Sequence, residues 1–435
     1  MSDQPLGTAC DVTVIGGGLA GKAASLHLAR AGLKVICIEP DESHRQRVGE
    51  SLDWSSPELL RELGFPMDEV VAAQIGTWKK HVILKMREGA PEDYVPVPWL
   101  GRAPFRIELR TLHVDRSRLD EELLKRVIES GVTIVRDKVL RIEREGDQIS
   151  SVHTESGKQF SSPWYIDASG YAASLVGRAF KLPAVHNGPA KVAMWSYFPV
   201  SDPIEGTTLY MEPRPSEYLD WVWEIPINPG VVSVGYITTG AALKVKREKG
   251  ISVSDIFRSQ LQRFSRFEPL LKESATTAPN VTAFRCRVFR KVAGPNWLIA
   301  GEAASMVDPI TANGVTAALR HASEASRLIL RHFKRGRLPL LSRVSYSTRV
   351  RYVARFFNSG IENIVFQPPV RNRIGIRHSG TAYISPAWTM NLVYARIRPD
   401  GILSTLFLGS LLWMIRASEW ALYRFCKLFS QPAEC

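Results

Sequence analysis

The stretch DVTVIGGGLAGKAASLHLARAGLKVICIEP, Asp11 to Pro40, leaves few folds open to this chain. An apolar run leads into glycines, an alanine-rich helical pattern follows, Gly32 stops it, and a second apolar run ends on Glu39. Gly16, Gly18 and Gly21 fit G-x-G-x-x-G. The first glycine permits a tight turn, the second lets the backbone approach a pyrophosphate, and the third lets helix and strand pack closely. Open N–H groups at the helix start then face the phosphates. Glu39 lies 18 residues after Gly21, near the distance expected of the acid that binds ribose hydroxyls. The complete βαβ context predicts an α/β chain with a Rossmann-like dinucleotide-binding domain.

At 435 residues the chain is long enough for two or three subdomains. Five cysteines show no C-x-x-C spacing, and the polar start MSDQPLGTAC does not read as a secretory leader. Both features predict a cytoplasmic protein. The net charge is +13, and from Arg331 onward there are sixteen Lys and Arg against four Asp and Glu. Such a basic quarter suits an acidic protein partner or an anionic membrane surface. No nucleic-acid-binding motif accompanies it, which ranks nucleic acid last. Ile402 to Ile415 is apolar for 14 residues, short of the roughly 20 that a membrane span needs. The pattern predicts a buried helix followed by an amphipathic one, with membrane-surface contact through 402–430 as the alternative.

A second signature runs from Gly294 to Ala325, GPNWLIAGEAASMVDPITANGVTAALRHASEA. It reads as a short strand, Gly301–Glu302–Ala303 at its carboxyl end, a loop from Pro309 to Gly314, and a helix. The two signatures together resemble the FAD-binding frame of the group A flavoprotein monooxygenases and the flavin-dependent halogenases. The pattern there is usually Gly-Asp, and Glu302 stands in for the acid. Three further segments agree: Arg47–Val48–Gly49–Glu50–Ser51, His113–Leu124 with Asp115 as an N-cap and Arg116 toward the cofactor, and Tyr165–Gly170. The resemblance implies FAD as cofactor. The candidate cofactor-binding residues are Gly16, Gly18, Gly21, Glu39, Arg47, Ser51, Arg116, Gly301, Glu302, Pro309 and Gly314. No metal is implied, and the nine histidines show no H-x-x-x-H or H-E-x-x-H spacing.

Asp220–Trp221–Val222–Trp223–Glu224–Ile225–Pro226 resembles the G-W-x-W-x-I-P motif of flavin-dependent halogenases, with Asp220 in place of Gly. In that family a lysine directs hypohalous acid to the substrate, and Lys79 and Lys80 lie about where it is placed. The halide loop of that family reads F-x-x-P-x-x-S-x-G. Here the corresponding residues are Met306, Pro309, Ala312 and Gly314, without the Phe and the Ser. On this departure the expectation is a halogenase-like fold that hydroxylates an electron-rich ring through a C4a-hydroperoxyflavin. The ring is an indole or a phenol, or a tryptophan within an acidic protein substrate. Relatives of the latter kind hydroxylate a peptidyl tryptophan during tryptophylquinone biogenesis, and Arg371, Arg373 and Arg377 would steer such a substrate. The alternatives are a halogenase using Lys79 or Lys80 and a membrane-associated isoprenoid reductase. The candidate catalytic set is Glu50, Trp221 and Trp223, with Lys79 added in a halogenase; Trp195, Tyr197, Phe198 and Tyr210 are further ring-positioning candidates.

The resemblance implies an FAD domain built from residues 1–80, 105–185 and 280–330. An inserted mixed sheet from 81–104 and 186–279 would carry substrate, and 331–435 would form a basic, mostly helical cap. Reduction comes from NAD(P)H directly or from a partner flavin reductase, since only one nucleotide fingerprint is present.

Overall fold

The computed structural model describes residues 10–40, 48–86, 92–94, 110–202, 206–212, 217–273, 278–373 and 402–428. Arg47, Arg377 and Cys435 lie outside the described residues. A parallel sheet orders its strands Trp297–Ile299, Trp164–Asp167, Val12–Ile15, Val35–Glu39 and Thr133–Arg136. The chain leaves the central strand Val12–Ile15 in one direction and returns on its other side at Trp164–Asp167. This is the topological switch point, where open α/β sheets bind ligands at the carboxyl ends of their strands. Both Val12 and Val14 are fully buried, as are their neighbours in the helix Leu19–Arg30, so the fingerprint rests on packed core.

An eight-stranded mixed sheet covers the carboxyl ends. Its order is Ser305–Met306, Asn280–Phe289, Ala184–Pro199, Val231–Thr239, Trp221–Asn228, Thr207–Met211, Val82–Met86 and Glu92–Tyr94. Alternation along each strand sends side chains to opposite faces. Trp195, Trp221, Trp223 and Ile225 face the parallel-sheet side. Met194, Phe198, Tyr210, Val222 and Tyr236 face a second apolar cluster under the helices Val253–Leu261 and Glu268–Glu273. The large sheet runs to Phe289, so Asn280–Phe289 belongs with it rather than with the nucleotide-binding segment starting at 280.

The C-terminal region corrects one expectation. Instead of a buried helix followed by an amphipathic one, Ile402–Leu428 is a single helix, packed lengthwise on the helix Leu340–Gly360. Leu403, Phe407, Trp413 and Met414, all within or beside the apolar stretch, are exposed. Apolar composition predicted burial, but one neighbouring helix covers only one side of a cylinder. Among the described residues no helix is long and apolar enough to cross a membrane.

Candidate active site

Four loops converge above the switch point. Gly16 has φ of 99°, in the left-handed region, and a Cβ there would sit 2.4 Å from the Ala168 carbonyl oxygen. A Cβ on Gly21 would sit 1.8 Å from the Gly16 carbonyl oxygen. These two positions therefore exclude any side chain and hold the turn tight. Gly17 N–H donates to the Glu39 carboxylate, which places Glu39 beside the glycine turn. The helices starting at Leu19 and at Gly314 have no side-chain cap, whereas Asp115, Thr239 and Ser252 cap their helices. Uncapped N-termini leave N–H donors and partial positive charge for an anionic group. Beside Gly314 a Cβ would meet nothing within 4 Å, so the second helix opens onto space. This cradle fits FAD: one helix start for the pyrophosphate, one for the flavin edge that becomes negative on reduction.

The same space yields a prediction. Gly314→Leu is expected to fold, because a Cβ there meets no protein atom within 4 Å, yet to bind FAD at least about tenfold more weakly. Absorbance at the flavin maximum alongside far-UV circular dichroism would check it. A fully flavinated variant would mean the ring lies elsewhere.

The Val48–Ser51 turn is fixed from below. Arg116 Nη1 donates to the Val48 carbonyl at 3.0 Å while its Nη2 pairs with Asp120 at 3.3 Å. Gly49 has φ of 119°, and a Cβ on it would meet Arg116 Nη1 at 2.7 Å. Arg116 thus holds the loop that carries Glu50 and Ser51. Asp53 continues the loop: it accepts from Ser55 N–H and Oγ–H and from Asn313 Nδ2 at 2.6 Å. Ser56 and Thr316 hydroxyls also meet, so the 48–56 and 308–316 loops form one unit.

Lys79 lies at the end of the strand Gly76–Lys79, which pairs with Thr111–Val114. Thr77 and Lys79 share one face of that strand. Lys79 is 1 % exposed, while Lys80 is exposed. Lys79 Nζ donates to Ser51 Oγ and to the Leu52 carbonyl, both at 2.9 Å, and stands 4.6 Å from the centre of the Trp54 ring. Burial pushes its ammonium down to about 7, against a smaller upward pull from Asp53. From Ser51 the hydroxyl chain continues to Thr207 at 2.8 Å, then to His113 Nε2 at 2.9 Å. Burial, followed by the charges of Lys79 and His81, holds His113 well below its usual range and therefore neutral.

Glu50 is 1 % exposed. Its carboxylate accepts from Gly49 N–H at 2.9 Å and from the Tyr197 and Ser233 hydroxyls at 3.1 Å each. Trp223 Nε1 donates to Ser233 Oγ at 3.1 Å, which ties the tryptophan strand to Glu50. Trp221 lies 5.8 Å from Trp223, centre to centre. Among the described residues, the buried Nε1 donors of Trp195 and Trp221 have no hydrogen-bond partner. Asp220, in the place of Gly, accepts from Tyr236 and Thr238 hydroxyls instead of entering this space.

The sequence and the fold of the chain both have known counterparts. A family model described as tryptophan halogenase matches residues 108–354, just over half of the chain. The chain belongs to the tryptophan halogenase family. A lycopene cyclase protein model also matches residues 11–186. A tryptophan 2-halogenase of Chondromyces crocatus is 28 % identical over 72 % of this chain, which spans 59 % of that relative's length. A 1H-pyrrole-2-carbonyl-[peptidyl-carrier protein] chlorinase of Pseudomonas fluorescens is 26 % identical over 78 % of this chain and 80 % of its own. Among solved structures, a triple mutant of the flavin-dependent brominase Bmp2 superposes with a TM-score of 0.72 at 19 % identity, covering 94 % of this chain and all of that one. Several of the relatives are flavin-dependent halogenases, so membership points to an oxidoreductase-type enzyme.

Within this member of the tryptophan halogenase family, the structure sorts the sequence candidates. Glu50, Ser51, Arg116, Gly301, Pro309 and Gly314 converge around the cradle, with Lys79 one hydrogen bond behind Ser51. Glu302 is exposed at the turn Gly301–Ala303. Phe198 and Tyr210 are corrected: they point to the far face of the large sheet, where the Tyr210 hydroxyl donates to Glu224 at 2.6 Å. Strand parity puts them there. Arg371 is also corrected as a steering charge, because it is 2 % exposed and donates to the Phe366 and Glu217 carbonyls. Asp53, His113, Thr207, Ser233 and Asn313 were absent from the sequence candidates. Strand alternation separates Lys79 from Lys80, but only the pairing with Thr111–Val114 says which of the two is inside.

Proposed function

We propose that the protein halogenates an electron-rich aromatic ring and that Lys79 is the residue that meets hypohalous acid. The observation that carries this reading is a buried lysine bonded to the flavin loop, with its ammonium poised near neutrality. When bound, reduced FAD together with dioxygen supplies the two-electron oxidant that converts halide to hypohalous acid; a partner flavin reductase supplies the reduced flavin. Ser51 and the Leu52 carbonyl take two of the ammonium N–H bonds, which fixes Nζ and leaves a third donor for the hypohalous oxygen. The ring carbon takes the halogen, Lys79 protonates the departing oxygen to give water, and the proton shed by the ring restores the ammonium. A group with a pKa of about 7 suits both halves of that exchange.

Trp221 and Trp223 supply flat apolar walls, and the Trp195 and Trp221 N–H groups supply donors to a ring substituent. Indoles, phenols and pyrroles match such walls, and the tryptophan and pyrrolyl relatives support the same class. Glu50, held by Tyr197 and Ser233, orients the flavin loop beneath this space. The test supplies FAD-loaded protein with a flavin reductase, NADH, oxygen and bromide, then offers tryptophan, phenols and a pyrrole. A bromide-dependent gain of bromine in the product mass is the expected outcome.

A second reading is hydroxylation, and one observation favours it. The halide-loop positions hold Met306 and Ala312, and Ala312 adopts φ of 54°, a left-handed turn without a hydroxyl to offer a halide. A gain of oxygen that needs no bromide and survives in Lys79→Met would select this reading and set aside the first.

A further inference from the structure

We infer that the helix Ile402–Leu428 lies in the plane of an anionic lipid bilayer, with its apolar side in the membrane interface. The helix is amphipathic in the reverse sense. Its protein-facing side carries polar groups: Thr405 Oγ1 meets Ser345 Oγ at 2.7 Å, and buried Glu419 accepts from Ser359 at 3.2 Å and Asn363 at 3.0 Å. Its outward side carries Leu403, Leu406, Phe407, Trp413, Met414, Trp420, Phe425 and Leu428, all more than half exposed. At 100° per residue these positions fall on one stripe about 40 Å long. Water is a poor solvent for such a stripe; singly scattered apolar residues would need no explanation, but eight on one side of a helix do.

The stripe has neighbours in the same surface. Leu340, Leu341 and Val344 are exposed on the adjoining helix. Among these two helices and the end of the helix Gly314–His332 runs a groove of about 860 Å³, with Leu341, Val344, Leu406 and Trp413 on its apolar walls and Arg327 and Arg331 on its third side. That volume suits an acyl chain.

Charge selects the occupant. Across the described residues of 331–428 both acids, Glu362 and Glu419, are buried. Arg331, Lys334, Arg335, Arg337, Arg373, Arg424 and Lys427 are exposed. The exposed charge of these described residues is therefore basic. A second copy of the chain would bring two basic faces together, which is repulsive. Anionic headgroups neutralise it, while Trp413 and Trp420 supply the rings that settle at headgroup depth.

The experiment uses full-length, FAD-loaded protein sedimented with vesicles of phosphatidylcholine alone or mixed with phosphatidylglycerol. Pelleting with the mixed vesicles, weakened by salt, is expected. Arg424→Gln with Lys427→Gln should weaken partitioning about thirtyfold at low salt, and Phe407→Glu with Met414→Glu should abolish it while flavin absorbance is kept. Brominated acyl chains should quench tryptophan fluorescence, and Trp413→Phe with Trp420→Phe should remove that quenching without ending the pelleting. Failure to pellet with either vesicle would overturn the inference. So would a dimer by light scattering that Phe407→Glu with Met414→Glu dissociates, since the stripe would then belong to a second copy.

Discussion

Lys79→Met should reduce ring halogenation on the order of a thousandfold while leaving flavin binding intact, and Lys80→Met should retain activity. The contrast follows from one-residue parity on a strand. Lys79 points into the sheet interior against Ser51 and Trp54, and Lys80 points out. The stability effect has the opposite sign. Lys79 falls from its ordinary 10.5 to about 7 on folding because burial disfavours its charge. Between those two values the unfolded chain binds more protons than the folded one, so stability rises with pH across that window. Below about pH 7 the fold carries the charged amine at full penalty. Removing the amine should therefore raise the melting temperature at pH 6, with the gain fading toward pH 10. On the proposed role of Lys79, halogenation should fall as pH rises above about 7, because the ammonium would be the proton donor. Product mass, flavin content and melting curves at several pH values read all three expectations. An active Lys79→Met protein would remove lysine from the mechanism.

The sequence made the nucleotide-binding half legible because its constraints are local. Gly16 and Gly21 are dictated by atoms a few residues away or across one strand, and the spacing to Glu39 follows from the length of one βαβ unit. The Asp115 cap is equally local, accepting from Ser117 and Arg118 N–H. The far half depends on pairings over long separations. Thr207 reaches Ser51 and His113 only because Thr207–Met211 pairs with Val82–Met86, and no spacing announces that. Aromatic content marked Trp195 and Tyr210 alike, but the sheet sends them to opposite faces. Charge counts misled at Arg371, whose guanidinium holds two carbonyls inside the protein. The C-terminal apolar run was visible, but its orientation was not, since outward apolar and inward polar faces share one periodicity.

Lys191→Met should destabilise the fold by about 3–5 kcal/mol and make it release FAD. Lys191 is 1 % exposed at the centre of the large sheet. Its Nζ donates to Asp308 at 2.6 Å and lies 3.8 Å from Glu362, with the Phe366 ring centre at 3.7 Å. Tyr218 and Gln367 also donate to Glu362, at 2.6 Å each. Burial pushes the ammonium down, but Asp308, Cys286 and Glu362 outweigh it and hold Lys191 above its ordinary value. Its contribution is therefore complete below pH 10.5 and is lost only as pH rises through the higher folded value. Removing the lysine strands two buried carboxylates, and that penalty, more than the lost attraction, sets the size of the effect. Asp308 transmits it: the same side chain accepts Ile310 N–H and caps the turn Pro309–Thr311 that leads into the uncapped helix Gly314–His332 of the candidate FAD cradle. A loosened turn should shed FAD before the chain unfolds, so flavin fluorescence should rise at a lower temperature than the circular dichroism transition. Adding Asp308→Asn and Glu362→Gln to Lys191→Met neutralises the stranded charges and should recover much of the stability. If the triple variant is no more stable than the single one, the lysine acts through packing against Phe366 instead of through charge.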